Sequence, residues 1–253
     1  MARLAQAPLL EAIFELRWGL VKKETNEIKL AFSPEESKFF PGQFRSLATS
    51  KGYSHMEAVN QPPFPHMINY RFRKAPNTWP CIQMGTGIIT TNQVNDGYEW
   101  KTFKADVIST VEIFDKAHPN HLKGINPLYI ELRYHDGFTL GDNETPSQFL
   151  NDKLNFGFNP PDNFLNSPFL TGQVTGHSVS FQIETMKPKG VLIFAIDEAD
   201  INGKKGFIMQ TVMRSEPAKL SKKWLLEWLE EAHTTQKHAF STLIKPELME
   251  AFE

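Results

Sequence analysis

Basic side chains that could contact an anion or a nucleic-acid backbone fall into two clusters. Arg71 and Arg73 alternate with apolar residues, and Lys219, Lys222 and Lys223 surround the predicted start of an amphipathic helix. Positive charge is unfavourable at a helix N-terminus because the macrodipole is already positive there. The ordinary explanation of such a cluster is a solvated charged face, and the alternative is contact with phosphate groups.

Two short motifs resemble nucleotide-binding signatures without their context. Residues 197–200 read Asp-Glu-Ala-Asp, but the sequence has no Gly-Lys-Ser/Thr loop to hold the phosphates, so we interpret them as the polar end of a strand. Residues 85–87 read Gly-Thr-Gly, without a third glycine, and lead into apolar β-branched residues. They predict a hairpin or bulge and not a dinucleotide site.

The residues able to bind metals or act as nucleophiles form no recognisable pattern in the sequence. His118 and His121 flank a proline, and His233 and His238 are five positions apart, so neither pair shares a helical face. Cys81 is the single cysteine, which excludes an internal disulfide and a multi-cysteine zinc site and favours a reducing compartment. We predict no catalytic residue, no metal site and no cofactor.

The composition is that of a globular protein with a sizeable core. The 253 residues are 40% hydrophobic and 22% charged, with 20 Phe and 5 Trp, and the formal net charge is −2. Such a balance gives no overall attraction to nucleic acid or to acidic lipid. No apolar run approaches the length of a membrane helix, and the N-terminus does not look like a signal peptide. We expect a cytoplasmic protein without membrane contact.

One motif occurs twice and indicates how these residues are positioned. Residues 14–18 read Phe-Glu-Leu-Arg-Trp, and residues 130–134 read Ile-Glu-Leu-Arg-Tyr. The alternation predicts two strands, each with one apolar face and one face carrying the charge pairs Glu15/Arg17 and Glu131/Arg133. If the strands are antiparallel neighbours, we expect Glu15 to face Arg133 and Arg17 to face Glu131. Each such pair contributes roughly 0.2 to 1 kcal/mol.

Further landmarks recur in the same order. Ser33-Pro34 and Thr145-Pro146 begin two capping signatures, 112 residues apart, and Trp100 and Trp224, 124 apart, lie on two long amphipathic helices. The order predicts an α+β fold: one duplicated domain over residues 1–253, with half-unit one at 8–119 and half-unit two at 124–253. Each half-unit has β-α-β-β-α order, and the antiparallel sheet carries its helices on one face.

Individual elements can be placed from their start and stop signals. Helices are predicted over residues 34–50 and from Ser221 onward, where the serine is the N-cap. In the second half, strands are predicted at 176–186, 191–197 and 207–213. Asn202-Gly203 between the last two is typical of a type I′ hairpin.

The sequence resembles a sporadically distributed prokaryotic family of about 250 residues that has no assigned activity. The similar stretches include residues 8–18, residues 80–100 with Pro80, Gly85 and Trp100, and the C-terminal run Ala-His, His-Ala-Phe, Leu-Ile and Pro-Glu-Leu between residues 232 and 248. The resemblance covers nearly the whole chain. It implies an accessory role near mobile or defence loci, including CRISPR-associated ones, and it supplies no catalytic residue.

Three functional hypotheses follow. The first is a non-enzymatic accessory protein that holds a protein partner, encoded nearby, on the sheet or on one of its edges. The second is nucleic-acid binding through Arg71, Arg73, Lys219, Lys222 and Lys223. The third is a hydrolase whose site cannot be assembled from the sequence and would lie in a pocket lined by Asp, Glu or His.

Overall fold

The computed structural model describes residues 7–22, 28–30, 32, 34–60, 64–94, 97–125, 127–155 and 160–252. The strands within these ranges are β1 (Leu9–Trp18), β2 (Leu20–Lys22), β3 (Ile28–Leu30), β4 (His55–Ala58), β5 (Tyr70–Arg73), β6 (Cys81–Gly85), β7 (Ile88–Val94), β8 (Pro127–Thr139), β9 (Ser178–Met186), β10 (Lys189–Ile201) and β11 (Lys204–Ser215). The helices are α1 (Pro34–Ser50), α2 (Trp100–Ala117), α3 (His121–Gly124), α4 (Pro146–Lys153), α5 (Asp162–Leu165), α6 (Lys222–Leu243) and α7 (Pro246–Glu250).

Nine of the strands form one antiparallel sheet in the order β4-β5-β6-β7-β1-β8-β11-β10-β9. The α+β class and the antiparallel sheet are therefore as predicted. We call β1 and β4–β7 with α1 and α2 the β4 side, and β8–β11 with α4, α6 and α7 the β9 side. β2 and β3 pair separately as a small ribbon.

The two copies of the repeated motif lie side by side at the centre of the sheet. β1 pairs with β8, and the register places Phe14 opposite Leu132 and Leu16 opposite Ile130. Equivalent residues of the repeat are 116 positions apart, so Phe14 faces the equivalent of Leu16, and Leu16 faces the equivalent of Phe14. This is the geometry expected of a local twofold axis. The proposed boundaries of the half-units remain a prediction.

The predicted cross-strand charge pairs are wrong. The register places Glu15 opposite Glu131, Arg133 opposite Ile13, and Arg17 opposite Tyr129. The ion pairs form within each strand, between Arg17 Nε and Glu15 Oε1 at 2.5 Å and between Arg133 Nη2 and Glu131 Oε2 at 2.7 Å. The reason is geometric: where a repeated strand pairs with its own copy about a twofold axis, the central residue meets its equivalent.

The helices pack on the face of the sheet to which the alternating apolar residues of each strand point. The larger core joins α1, α2 and α6 to β1, β8 and the β4-side strands, with Phe14, Phe44 and Phe114 fully buried. A smaller core joins α4 and α7 to β8, β10 and β11 around Phe194 and Phe207. The other residues of each strand point to the opposite face, which these helices do not cover. We call it the outer face.

Most predicted elements agree with the structure. α1 begins and ends as predicted, and Ser221 caps α6 by accepting a hydrogen bond from Trp224 N. Thr145 forms the second predicted capping box, whereas the first, at Ser33, lies outside the described residues. Asn202 and Gly203 have φ of 54° and 81°, as the type I′ hairpin requires. Four strands rather than two or three follow α1, and β2, β3 and β4 were not predicted.

Candidate interaction surface

The sheet ends at β9 in a long strand whose outer edge pairs with no other described strand. β9 is nine residues long and pairs with β10 in an unbroken register from Ser178 to Met186. Within it Glu184 is the one charged residue, and there is no lysine or proline. Natural edge strands are usually protected by shortness, lysine, proline or a bulge, because their unpaired N–H and C=O groups invite another strand. β9 has none of these protections.

Apolar side chains are exposed on this strand and in the chain segment before it. Met186 is 97% exposed and Ile183 is 51% exposed. The segment that leads into β9 exposes Phe164, Phe169 and Leu170, with Phe169 at 91%. We call β9 and residues 160–177 the β9 surface. Exposed aromatic and aliphatic groups next to an open strand edge are typical of a site where a protein partner binds.

The opposite edge is different. β4 has four residues, and His55 Nε2 lies 3.0 Å from Glu57 Oε1 on its outer face. Residues 64–68 also cover part of the outer face next to this side, where His66 Nε2 lies 3.0 Å from the carbonyl oxygen of Trp18. Short length and charge disfavour strand addition at β4.

The structure does not bring the predicted basic clusters together. Arg71 and Arg73 lie on the outer face, because Phe72 between them is buried in the core beneath the helices, and Arg73 is itself only 8% exposed. Arg73 Nη1 donates to the carbonyl of Thr78 at 2.7 Å and its guanidinium lies over the Trp79 ring. Arg71 lines a shallow cavity of the outer face that it shares with Glu15 and Arg17.

The lysine cluster lies on the other side of the sheet, at the start of α6. Lys222 Nζ pairs with Glu112 Oε1 of α2 at 2.5 Å, and Lys223 lies 3.9 Å from Glu227 one turn further along α6. Lys219 is exposed in the segment before the helix. Two of these lysines are thus already paired with carboxylates. The two clusters do not form one surface, and nucleic-acid binding through Arg71, Arg73, Lys219, Lys222 and Lys223 stays a prediction.

The charges at the centre of the outer face also neutralise one another. Glu131 is 1% exposed and, besides Arg133, accepts from Arg214 Nε of β11 at 2.5 Å. The guanidinium of Arg214 lies over the Tyr129 ring, 4.6 Å from its centroid. Burial is the largest single influence and opposes the charge of Arg17, but the hydrogen bond to Glu15 and the nearby charges of Glu15, Tyr129 and Glu131 together outweigh it and raise the pKa of Arg17. The centre of the sheet is therefore a closed ionic network.

A second cluster of polar side chains lies inside the core where α2 and α6 meet β8. Tyr98 donates to the Tyr134 hydroxyl at 3.0 Å, and Tyr134 lies 2.9 Å from Nδ1 of His233, whose ring stacks on Trp100 at 4.1 Å. Burial lowers the pKa of His233 to about 4, so its ring is neutral and can accept a hydrogen bond from the Tyr134 hydroxyl. Burial alone raises the pKa of neighbouring Asp136 to about 7.

One cluster of ionisable and hydroxyl side chains is not predictable from motifs in the sequence. Ser147 Oγ lies 2.9 Å from His177 Nε2, and His177 Nδ1 lies 2.5 Å from Glu198 Oε1. Glu198 belongs to the Asp-Glu-Ala-Asp stretch, which is the polar strand end of β10 as predicted. The hairpin register could have placed His177 opposite Glu198, but nothing in the sequence indicates that α4 brings Ser147 to them.

The remaining candidates for chemistry are inert or absent within the described ranges. Cys81 is fully buried, and burial raises the pKa of its thiol to about 11, which disfavours the reactive thiolate. No group of three His, Cys, Asp or Glu side chains among the described residues is arranged to hold a metal ion. No helix of the described part is both long and apolar enough to cross a membrane.

Comparison with known proteins found no match. No family model matches the chain, and no curated protein and no solved structure matches it significantly. The resemblance of its motifs to the prokaryotic family therefore remains a prediction, and the function must be argued from the β9 surface itself.

Proposed function

We propose that this protein is an accessory protein that binds a protein partner at the β9 surface. The observation that carries the proposal is the unprotected edge of β9, nine residues long, with Ile183 and Met186 exposed. A partner segment in extended conformation would add a tenth strand, with its main chain hydrogen-bonded to β9. Its apolar side chains would cover those of Ile183 and Met186.

The side chains of the β9 surface also favour partner binding. Backbone hydrogen bonds are similar for any extended segment, so specificity must come from the side chains of β9 and of the segment before it. Phe164, Phe169 and Leu170 provide apolar contact area of the kind that dominates binding at interfaces. Such a site needs no ionisable cluster and is compatible with a protein without enzymatic activity.

The likeness to a sporadic prokaryotic family guides the choice of partner. That resemblance makes proteins encoded beside this one, including those of a CRISPR-associated or other defence locus, the first partners to test. The single buried cysteine fits a reducing, cytoplasmic setting for the complex.

The test is co-purification of the tagged protein with each co-encoded protein, followed by sizing chromatography. We expect a complex with the wild type and its loss in Ile183→Lys, because lysine on an open edge opposes strand addition. Phe39→Lys is the matched control, since Phe39 is 61% exposed on α1 of the β4 side. This variant should keep the complex.

Three results would contradict the proposal. One is a protein that stays monomeric with every co-encoded product. Another is a complex that Phe39→Lys weakens as much as Ile183→Lys does. The third is a homodimer that Ile183→Lys dissociates, because a second copy of the chain would then occupy the edge instead of a different protein.

A further inference from the structure

Ser147, His177 and Glu198 come from three separate elements and meet at one point. Ser147 is in the first turn of α4, His177 directly precedes β9, and Glu198 is on β10. Glu198 N donates to the carbonyl of His177 at 3.3 Å, so the two residues are neighbours across the β9–β10 pair. The capping box at Thr145 fixes the turn that carries Ser147.

The order of contacts is that of a nucleophile, a base and an orienting acid. Ser147 Oγ lies 2.9 Å from one ring nitrogen of His177, and Glu198 Oε1 lies 2.5 Å from the other. A carboxylate on Nδ1 selects the tautomer whose Nε2 can accept the serine proton. This arrangement of roles recurs on unrelated folds and is recognised by geometry, not by position in the chain.

Burial differs among the three residues in a way that suits catalysis. The His177 side chain is 8% exposed, and the Glu198 side chain is 34% exposed. Ser147 is partly exposed, so a substrate can reach its hydroxyl while the imidazole stays held between two partners. The imidazole therefore needs little reorganisation before it accepts a proton.

The start of α4 also offers stabilisation for a negative charge. Ser147 is the second residue of the helix, and helix geometry gives an N–H at this position no intrahelical acceptor. The macrodipole adds positive potential at the same end. An oxyanion that forms beside Ser147 Oγ would lie next to this N–H group.

We propose that Ser147, His177 and Glu198 form a hydrolytic triad that cleaves carboxylic esters. Ser147 Oγ attacks the ester carbonyl carbon while its proton moves to His177 Nε2. The C–O bond to the alcohol then breaks, and the alcohol leaves with that proton. Water attacks the acyl-serine, gives a proton to Nε2, and releases the acid as Ser147 recovers its proton. His177 also belongs to the β9 surface, but this activity does not require a bound partner.

The test uses the purified full chain with a fluorophosphonate probe and with p-nitrophenyl acetate. We expect the probe to modify Ser147, as located by peptide mass spectrometry. Ser147→Ala should abolish labelling, and His177→Gln should slow it about 100-fold because the general base is lost. Glu198→Gln should slow both reactions less than His177→Gln does.

Ser50→Ala is the matched control. Ser50 is exposed at the end of α1 on the β4 side, where its Oγ donates to the carbonyl of Leu47 at 2.7 Å. This variant should label and hydrolyse like the wild type. Circular dichroism melting of each variant separates loss of the site from loss of the fold.

The proposal is overturned if folded wild type leaves Ser147 unlabelled and hydrolyses the ester no faster than folded Ser147→Ala. It is also overturned if His177→Gln labels at the wild-type rate. In either case the three side chains would only tie α4 to the β9–β10 hairpin, and the proposal of partner binding would stand unaffected.

Discussion

The β4 and β9 edges end the same sheet by different means. β4 is four residues long and carries a histidine–glutamate contact, whereas β9 is nine residues long and carries a single charge. Beneath the β4 edge, Phe72 of the adjacent strand is buried against Phe44 of α1. On β9, Ile183 and Met186 remain exposed. One edge is therefore protected against strand addition, and the other is left open.

The largest expected effect concerns the aromatic packing near the two edges. Phe72→Ala should lower the free energy of unfolding by about 3 to 5 kcal/mol, as for other fully buried phenylalanines. Phe181→Ala on β9 should cost only about 1 to 2 kcal/mol, because Phe181 is half-buried against Phe194. Urea denaturation of both variants measures the difference. Equal losses would mean that β9 is as firmly packed as the β4 side.

Asp136 gives the next largest expected effect on stability, and it lies on β8, where the two sides meet. Burial raises its pKa from 3.8 to about 7, so the folded protein holds a proton that the unfolded chain releases. The contribution of Asp136 to the free energy of unfolding should therefore be greatest below about pH 4 and should be lost as the pH rises through 7. The loss is on the order of 4 kcal/mol in all. Asp136→Asn should remove this fall in thermal melts between pH 5 and pH 8.

Asp142→Asn serves as the control for that experiment. Asp142 is exposed in the turn after β8, so its removal should leave the pH dependence of the melting temperature as it is in the wild type. A wild-type melting temperature that does not fall between pH 5 and pH 8 would show that Asp136 is solvated on folding.

His233 of the β9 side predicts the opposite pH dependence. Its pKa is lowered to about 4 by burial, so the unfolded chain binds a proton at a pH where the folded protein does not. Its contribution to stability is present above about pH 6.5 and is lost as the pH falls toward 4. His233→Gln should therefore reduce the fall in melting temperature between pH 6.5 and pH 4.5. His238→Gln, on an exposed position of the same helix, should not.

The smallest effects come from the helix starts, which also differ between the two sides. Thr145 caps α4 with a complete capping box, whereas Glu99 precedes α2 without a side-chain cap. Thr145→Ala should destabilise the protein by about 1 kcal/mol. Glu99→Ser should stabilise it by a few tenths of a kcal/mol, since serine is the better N-cap. The midpoints of chemical denaturation of the two variants should shift in opposite directions relative to the wild type. A shift in the same direction would contradict this account.

Local patterns were sufficient to predict much of the fold. Alternation in β1 and β8, the cap at Ser221 and the Asn202-Gly203 turn each depend on neighbours in the sequence, and each agrees with the structure. The register of β1 against β8 was predicted wrongly. Alternation specifies which face a residue is on, but a shift of two residues keeps every face and changes every pair.

The candidate sites were harder to predict because they depend on tertiary arrangement. Whether a strand such as β9 is an edge follows from the order of strands, which its own residues do not encode. Arg71 and Lys222 looked alike as solvent-facing cations, yet they lie on opposite layers. Ser147 is 30 residues before His177 in the chain, and only the packing of α4 on the hairpin brings them within hydrogen-bond distance.

The pairing of Glu15 with its equivalent Glu131 determines how the middle of the sheet responds to ionic strength. Among the described residues, each carboxylate is held by a guanidinium from its own strand or, for Glu131, also from β11. No described ion pair at contact distance bridges β1 and β8, and the charge interactions between these strands are the longer-range attraction of Arg17 to Glu131 and its contact with the Tyr129 ring. Added electrolyte screens such interactions. The joint at the centre of the molecule relies mainly on amide hydrogen bonds and apolar packing, and its strength should change little between dilute buffer and concentrated brine.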